Sequence, residues 1–325
     1  MKMKNHKIII LILLLIVILT LLYRLNGLQY NSSFVEKFSN YTDSNKDDNK
    51  DDNKDSNNDT DNTYKIAFLF LTRNNLKRSE IWEEFLKGKE DKYSIYCHAK
   101  EPEKVTDRLL KDTIIPEHID TCWGCINLVE ANILLMKNAL LNPLNKKFIL
   151  VSESCVPIVS FDVLYKSIIN NNKSRIGIHK INSSPERYNQ IKNPDFSEKD
   201  FIKHSGSGNI FSRLHAEMLV NSLPKLEDWK AQIAPDEHYK GNILSVMDKD
   251  FNNNNENIKT TFDIWQKDDL DLLNLNDNII LKTGEYILLN KVTNKAIDTM
   301  REKGFLFMRK VDENTEFDKE YIINS

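Results

Sequence analysis

Three strand-like segments constrain this chain more than anything else in it. "KIAFLFLT" (65–72) is apolar almost without interruption, and so is the start of "KKFILVSESCVPI" (146–158). "KYSIYCHA" (92–99) alternates. A strand-length run with no polar face is covered on both sides, which points to a parallel sheet clothed in helices. Helical spacing fills the gaps: "SEIWEEFLKG" (79–88), "INLVEANILLMKNALL" (126–141) and "SFDVLYKSII" (160–169). The alternation predicts an α/β sandwich with a mostly parallel central sheet. Ligands bind such sheets beyond the carboxyl ends of the strands, which places His98 and the loop "SESC" (152–155) near a site.

The second half is more mixed. "GSGNIFSR" (206–213) reads as a glycine turn into a short strand, "HAEMLVNSL" as a helix, and "DEHYKGNILSVM" (236–247) as another. A last helix, "NKAIDTMREK", and a strand, "GFLFMRKV" (304–311), complete the pattern.

Ahead of this domain lies a different kind of sequence. Ile8 to Tyr23 is apolar except for Thr20 and the amphipathic Tyr23. At 1.5 Å per residue such a run spans roughly 24 Å, and Leu25 and Leu28 extend it if Arg24 snorkels. No small-residue cleavage site follows, so the expectation is an uncleaved anchor rather than a signal peptide. Lys2, Lys4 and Lys7 precede the run and only Arg24 follows closely. The positive-inside rule then keeps the N-terminus cytosolic and sends the remainder across the membrane. "DSNKDDNKDDNKDSNNDTDN" (43–62) has no apolar residue and is expected to be a disordered stalk. The expected organisation is a cytosolic tail (1–7), a transmembrane anchor (8–28), a stalk (29–63) and a globular domain (64–325). Asn31, Asn40, Asn58, Asn172 and Asn182 begin N-x-S/T sequons, which carry glycans if they lie in a lumen.

Several functions drop out. A net charge of −3, with lysines scattered among acids, gives no basic field for nucleic acid. There is no phosphate-binding G-x-x-x-x-G-K-S/T, no G-x-G-x-x-G, no G-x-S-x-G and no H-E-x-x-H. Of the four cysteines, Cys122 and Cys125 form a C-x-x-C without a second ligand pair at zinc spacing. Two buried thiols, or one bridge, is the expectation for them.

"IAPDEHYK" (233–240) packs two carboxylates and a histidine behind a proline. Taken alone, Pro235 with Asp236 and Glu237 in the first turn is how many surface helices begin. The surrounding motifs change that reading. "KIAFLFLTR", "YSIYCHAK", "CWGCINLVEANILLMKNALL", "FILVSESCVPI", "SPERY", "GSG", "APDEHY", "IWQ" and "FLFMRK" stand in one order between about Lys65 and Lys310. Together they resemble the core-2/I-branching β-1,6-N-acetylglucosaminyltransferases, most of all the plant-type branch, with the peptide O-xylosyltransferases as relatives.

The resemblance implies a GT-A-like, Rossmann-like α/β domain and inverting transfer from a UDP-sugar, UDP-N-acetylglucosamine first. It implies a glycan or glycoprotein acceptor, and a type II protein with its domain in a Golgi- or ER-type lumen or outside the cell. The Glu of the family's P-D-E motif is the general base, which falls here on Glu237. A cation rather than a metal stabilises the leaving diphosphate; Lys310 matches the family's phosphate-binding Lys, with Arg309 beside it. Arg187 in "SPERY" matches an acceptor-contacting Arg, with Glu186 next to it. Trp265 in "IWQ" matches a Trp beside the acceptor, and Glu153 lies in the loop where the family builds its site. His98 and Lys100 fall on the donor side.

Three departures stand out. Lys100 occupies the place of an Asp that animal members carry near the uridine. No Arg stands in "ILKTGEYILLNKVTNK", where those members have one for the diphosphate, so Lys282 or Lys291 is the available cation. The animal pattern of several disulfides is missing. Two D-x-D strings, "DKD" (248–250) and "DLD" (269–271), lie late in the domain, away from where a GT-A metal motif belongs. A UDP-sugar transferase of other sugar specificity, or an inactive glycan-binding relative, is the competing reading.

Overall fold

Alternation along the first strand decides how the sheet is covered. Ile66, Phe68 and Phe70 enter one core cluster and Ala67 and Leu69 another, and all five are fully buried. Successive side chains on a strand point to opposite faces, so an unbroken apolar run feeds two cores at once. The computed structural model describes residues 63–180, 185–206, 208–264, 270, 275, 278–282 and 287–323. The expected anchor (8–28) lies outside them, as does the expected stalk (29–63) except for residue 63. All the described residues fall within one compact unit, Asp61–Ser325.

The strands, in chain order, are β1 (Lys65–Thr72), β2 (Tyr93–Ala99), β3 (Asn145–Ser152), β4 (Val156–Pro157), β5 (Ser174–Arg175), β6 (Ile178–Lys180) and β7 (Ile202–His204). They continue with β8 (Ile210–Ser212), β9 (Asn255–Glu256), β10 (Thr261–Phe262), β11 (Ile279–Lys282), β12 (Leu288–Val292) and β13 (Phe307–Met308). The central sheet has six strands in the order β2-β1-β3-β8-β5-β9. β1 pairs in parallel with both β2 and β3; β8 is antiparallel to β3 and to β5, and β5 is parallel to β9. β8 therefore runs alone against the others, and the sheet is mostly parallel, as the apolar runs require. Thr72 stands opposite Ala99, and Leu71 opposite Ser152, so β1, β2 and β3 finish together at one edge.

Helices Ile126–Ala139, Arg213–Asn221 and Tyr239–Met247 cover one face; Ser79–Leu86 and Phe161–Ile168 cover the other. Trp82 is the key to the second face. It packs against Phe68, Phe70, Phe85 and Phe307, and its indole N–H donates to the Cys155 carbonyl at 2.9 Å. One side chain thus fastens both the loop after β3 and the C-terminal strand to the core. A third core cluster gathers β10, β12, β13 and the helix Asn294–Glu302 through Phe262, Val292, Met308, Ile297 and Met300.

Two expected elements differ. The strand expected over 304–311 is reduced to Phe307–Met308, because β10 and β4, which pair with it on either side, are themselves only two residues long. The helix expected from 236 begins instead at Tyr239, behind a 3-10 turn at Pro235–Glu237, since His238 (φ −130°, ψ −46°) is not helical. No helix among the described residues is long and apolar enough to cross a membrane.

Candidate active site

The P-D-E turn is held in an unusual backbone. Ala234 has φ 52°, a left-handed conformation that costs a residue with a Cβ roughly 1–2 kcal/mol. Its N–H donates to the Gly124 carbonyl at 3.2 Å, tying the turn to the C-W-G-C loop. Cys122 and Cys125 form a disulfide that closes this loop, so one bridge, not two buried thiols, is the outcome. Behind the turn, the helix Tyr239–Met247 presses on β7 at Gly241, where a Cβ would come within 2.8 Å of the His204 ring.

Glu237 emerges from this turn with its side chain 19% exposed. Two cations converge on its Oε2: Lys203 at 3.2 Å and Arg187 at 3.4 Å. Lys203 is delivered by the alternation of β7, whose flanking residues Ile202 and His204 are buried. Arg187 comes from the short helix Pro185–Tyr188 and also reaches His238 Nε2 at 2.9 Å. His238 Nδ1 faces the Ile202 carbonyl at 3.0 Å, so Nδ1 carries the proton and Nε2 accepts from Arg187. Burial pushes the His238 imidazole down to about 4, which keeps it neutral and able to accept.

Asp236 points elsewhere. Its carboxylate lies against Gly206, where a Cβ would approach Oδ2 to 2.8 Å, so the first glycine of "GSG" is there for close approach. Burial raises its carboxyl above the ordinary range, with Lys240 and Arg309 pulling the other way. Lys240 is wholly buried and donates to the Asp236 carbonyl at 2.9 Å; burial pulls its ammonium down to about 8. Gly208 (φ +75°) is the second constrained glycine, since a Cβ there would land on the Thr261 side chain.

From "GSG" a chain of backbone bonds leads to the C-terminal cations. Gly208 N donates to Leu150 O at 3.1 Å in β3, Arg309 N to Phe262 O at 2.8 Å, and Val311 N to Ser154 O at 2.9 Å. Arg309 and Lys310 are thereby set beside "SESC", and the charge of Arg309 is felt at Asp236. Burial lowers the Lys310 ammonium, and neighbouring Arg309 lowers it further.

The other expected residues sort into two groups. At the carboxyl ends of β1, β2 and β3, Glu153 accepts from the Arg73 N–H, and Lys100 N donates to Thr72 O at 2.9 Å. His98 is buried, stacks on His118 at 5.4 Å, and accepts from the Ile119 N–H at 3.2 Å. The Lys100 side chain is exposed. Glu186 is exposed on the same short helix as Arg187. Trp265 lies outside the described residues. Lys282 and Lys291 sit on the β11–β12 hairpin and pair with Asp312 (3.8 Å) and Glu316 (3.4 Å).

Sequence reasoning missed Lys203, for which period-2 alternation in "FIKH" was the available signal.

A Ser–His–Asp chain also occurs, and it is structural. Ser174 Oγ lies 2.6 Å from His215 Nδ1, and His215 Nε2 lies 2.9 Å from Asp248 Oδ2. Ser174 and His215 are wholly buried, and Ser174 Oγ also accepts from the Ser212 N–H. The network ties β5 and β8 to the helices behind them. Asp248, the first residue of "DKD", is committed to it. The aspartates of "DLD" lie outside the described residues.

Fold and site define an α/β protein with a polar site at the carboxyl edge of its sheet, where one carboxylate is set among cations. The chain belongs to the Core-2/I-Branching enzyme family, whose model matches residues 66–300. It is 28% identical over 213 residues to Glycosyltransferase BC10 of Oryza sativa subsp. japonica, a match that takes in 56% of this chain and 53% of that protein. The chain thus spans about half the length of that curated relative. Among solved structures, the A197 protein of STIV is similar over 47% of this chain and 67% of its own, at 11% identity and a TM-score of 0.25, a likeness too slight to bear on the fold.

Proposed function

We propose that the protein is an inverting glycosyltransferase that moves a sugar from a UDP-sugar to a hydroxyl of a glycan or glycoprotein acceptor. Membership of the Core-2/I-Branching enzyme family supports the reaction class, and so does the name of the rice relative, a glycosyltransferase. The observation that carries the reading is the convergence on Glu237. Residues 187, 203 and 237 are far apart in sequence and meet at one carboxylate oxygen, on a turn that also abuts "GSG" and feels Arg309.

Glu237 is the general base. It takes the proton of the acceptor hydroxyl as that oxygen attacks the anomeric carbon from the face opposite the nucleotide. The bond to the diphosphate breaks, and the electron pair leaves with UDP. Lys310 and Arg309 stabilise the charge that develops there, a service needed only as the bond breaks. Arg187 orients the acceptor and, through His238, is itself oriented. His98 and Lys100 border the donor side of the same sheet edge, and Glu153 lies on the acceptor side. No metal is needed, and N-acetylglucosamine is the sugar proposed. The N-terminal run anchors the chain as a type II membrane protein, with the domain in a lumen or outside the cell.

The test is UDP release by the full chain with UDP-N-acetylglucosamine, UDP-xylose, UDP-glucose, UDP-galactose and UDP-glucuronic acid over a panel of glycan acceptors. Release from UDP-N-acetylglucosamine that survives EDTA is expected. Release that EDTA abolishes refutes the metal-free mechanism, and turnover of another donor alone corrects the sugar.

A further inference from the structure

Beside the base turn the molecule exposes apolar surface with no folding purpose. Trp123 is 84% exposed and Ile233 58% exposed. They flank a single hydrogen bond, Ala234 N to Gly124 O, which joins the disulfide loop to the P-D-E turn. Glu237 is three residues beyond Ala234. Ile233 N also donates to Gln190 Oε1 at 2.9 Å, two residues past the helix that carries Arg187.

The backbone that carries Trp123 is well fixed. The Cys122–Cys125 bridge closes its loop, and the Cys125 N–H donates to the Cys122 carbonyl at 3.2 Å. The loop runs directly into the helix Ile126–Ala139, whose Val129, Ile133 and Met136 are wholly buried in the core beneath the sheet. An indole on such a loop offers a flat apolar face without the cost of ordering the backbone beneath it.

We propose that Trp123, with Ile233 beside it, is an acceptor subsite that takes a sugar ring by its C–H face. A pyranose has one apolar C–H face and a rim of hydroxyls. Next to the base turn, the indole meets the face while Arg187 and Lys203 serve the rim. Continuity with the base turn separates this occupant from a second copy of the chain or a lipid, which would gain nothing from charged neighbours around a carboxylate. The subsite rests on the transferase reading. It adds a positioning residue that neither the P-D-E motif nor the "IWQ" tryptophan supplies.

The test applies full chain in detergent, with UDP present, to an array of immobilised mammalian, plant and microbial glycans. Wild type, Trp123→Ala and Trp123→Phe are compared, with UDP binding measured in parallel by titration. Expected is a loss of glycan binding of tenfold or more in Trp123→Ala, largely restored in Trp123→Phe, with UDP affinity unchanged in both. Trp123 is on the surface, so its replacement leaves folding intact, which matched thermal unfolding verifies. Equal glycan binding by wild type and Trp123→Ala, none in either included, overturns the subsite. Failure of the transferase reading shows separately, as no UDP release by wild type with any of the five donors.

Discussion

Arg187 can hold two partners only while His238 is neutral. Protonation would put a second positive charge 2.9 Å from the guanidinium and take away the lone pair it binds. His238 has its folded value depressed to about 4 from an ordinary value near 6.5. The unfolded chain therefore binds the proton first as pH falls. The stabilising contribution is complete above about 6.5 and is lost as pH drops through about 4, at most about 3 kcal/mol over the window. Asp236 acts with the opposite sign: its raised carboxyl favours the folded state as pH falls. Urea unfolding at pH 7.5, 5.5 and 4.5 checks this, with stability falling toward acid in wild type and falling less steeply in His238→Gln. A variant as acid-sensitive as wild type would remove His238 from that role. None of this was legible in the sequence, where His238 is simply a residue after two acids; its neutrality comes from burial, with Phe201 stacked on its ring at 4.7 Å, and from the charge of Arg187, against the pull of the Ile202 carbonyl.

At the scale of elements, the site depends on two backbone positions that tolerate little. Ala234 sits at φ 52° and Gly208 at φ +75°. A β-branched side chain in the left-handed region is a steric outlier, so Ala234→Val should cost about 2 kcal/mol and displace the base turn. Gly208→Ala adds a clash with Thr261 to the same backbone penalty and should cost about 3 kcal/mol. Shifts in urea midpoint at constant slope measure both, and a change under about 0.5 kcal/mol in either would contradict the geometry. The strands and helices around the sheet were legible because periods of 2 and 3.6 are written locally. The short strand Phe307–Met308 and the 3-10 turn at Pro235 were not, since both are set by tertiary contacts: the two-residue partners β4 and β10 for the strand, and the bond from Ala234 N to Gly124 O for the turn. The glycines of "GSG" were visible, but their purpose lies with Asp236 and Thr261, about 30 and 50 residues further on.

For the whole molecule, the site is a meeting of segments that the core holds in register. Trp82 bonds the "SESC" carbonyl and stacks on Phe307, just before Arg309 and Lys310. Trp82→Phe should keep the fold but lose the bond to Cys155, lowering stability by about 1 kcal/mol and weakening UDP binding several-fold. Isothermal titration with UDP reads the second effect; unchanged affinity would show that the loop holds itself. The proposed anchor makes a cellular prediction. The full chain should stay with membranes through alkaline carbonate extraction, and a chain lacking residues 1–28 should enter the soluble fraction. The central claim, that Glu237 is the base of sugar transfer, is tested most directly by UDP release from wild type and Glu237→Gln under identical donor, acceptor and EDTA. Removing a general base predicts a fall in kcat of about a hundredfold or more, with UDP affinity retained. Equal kcat in the two proteins would contradict the claim outright.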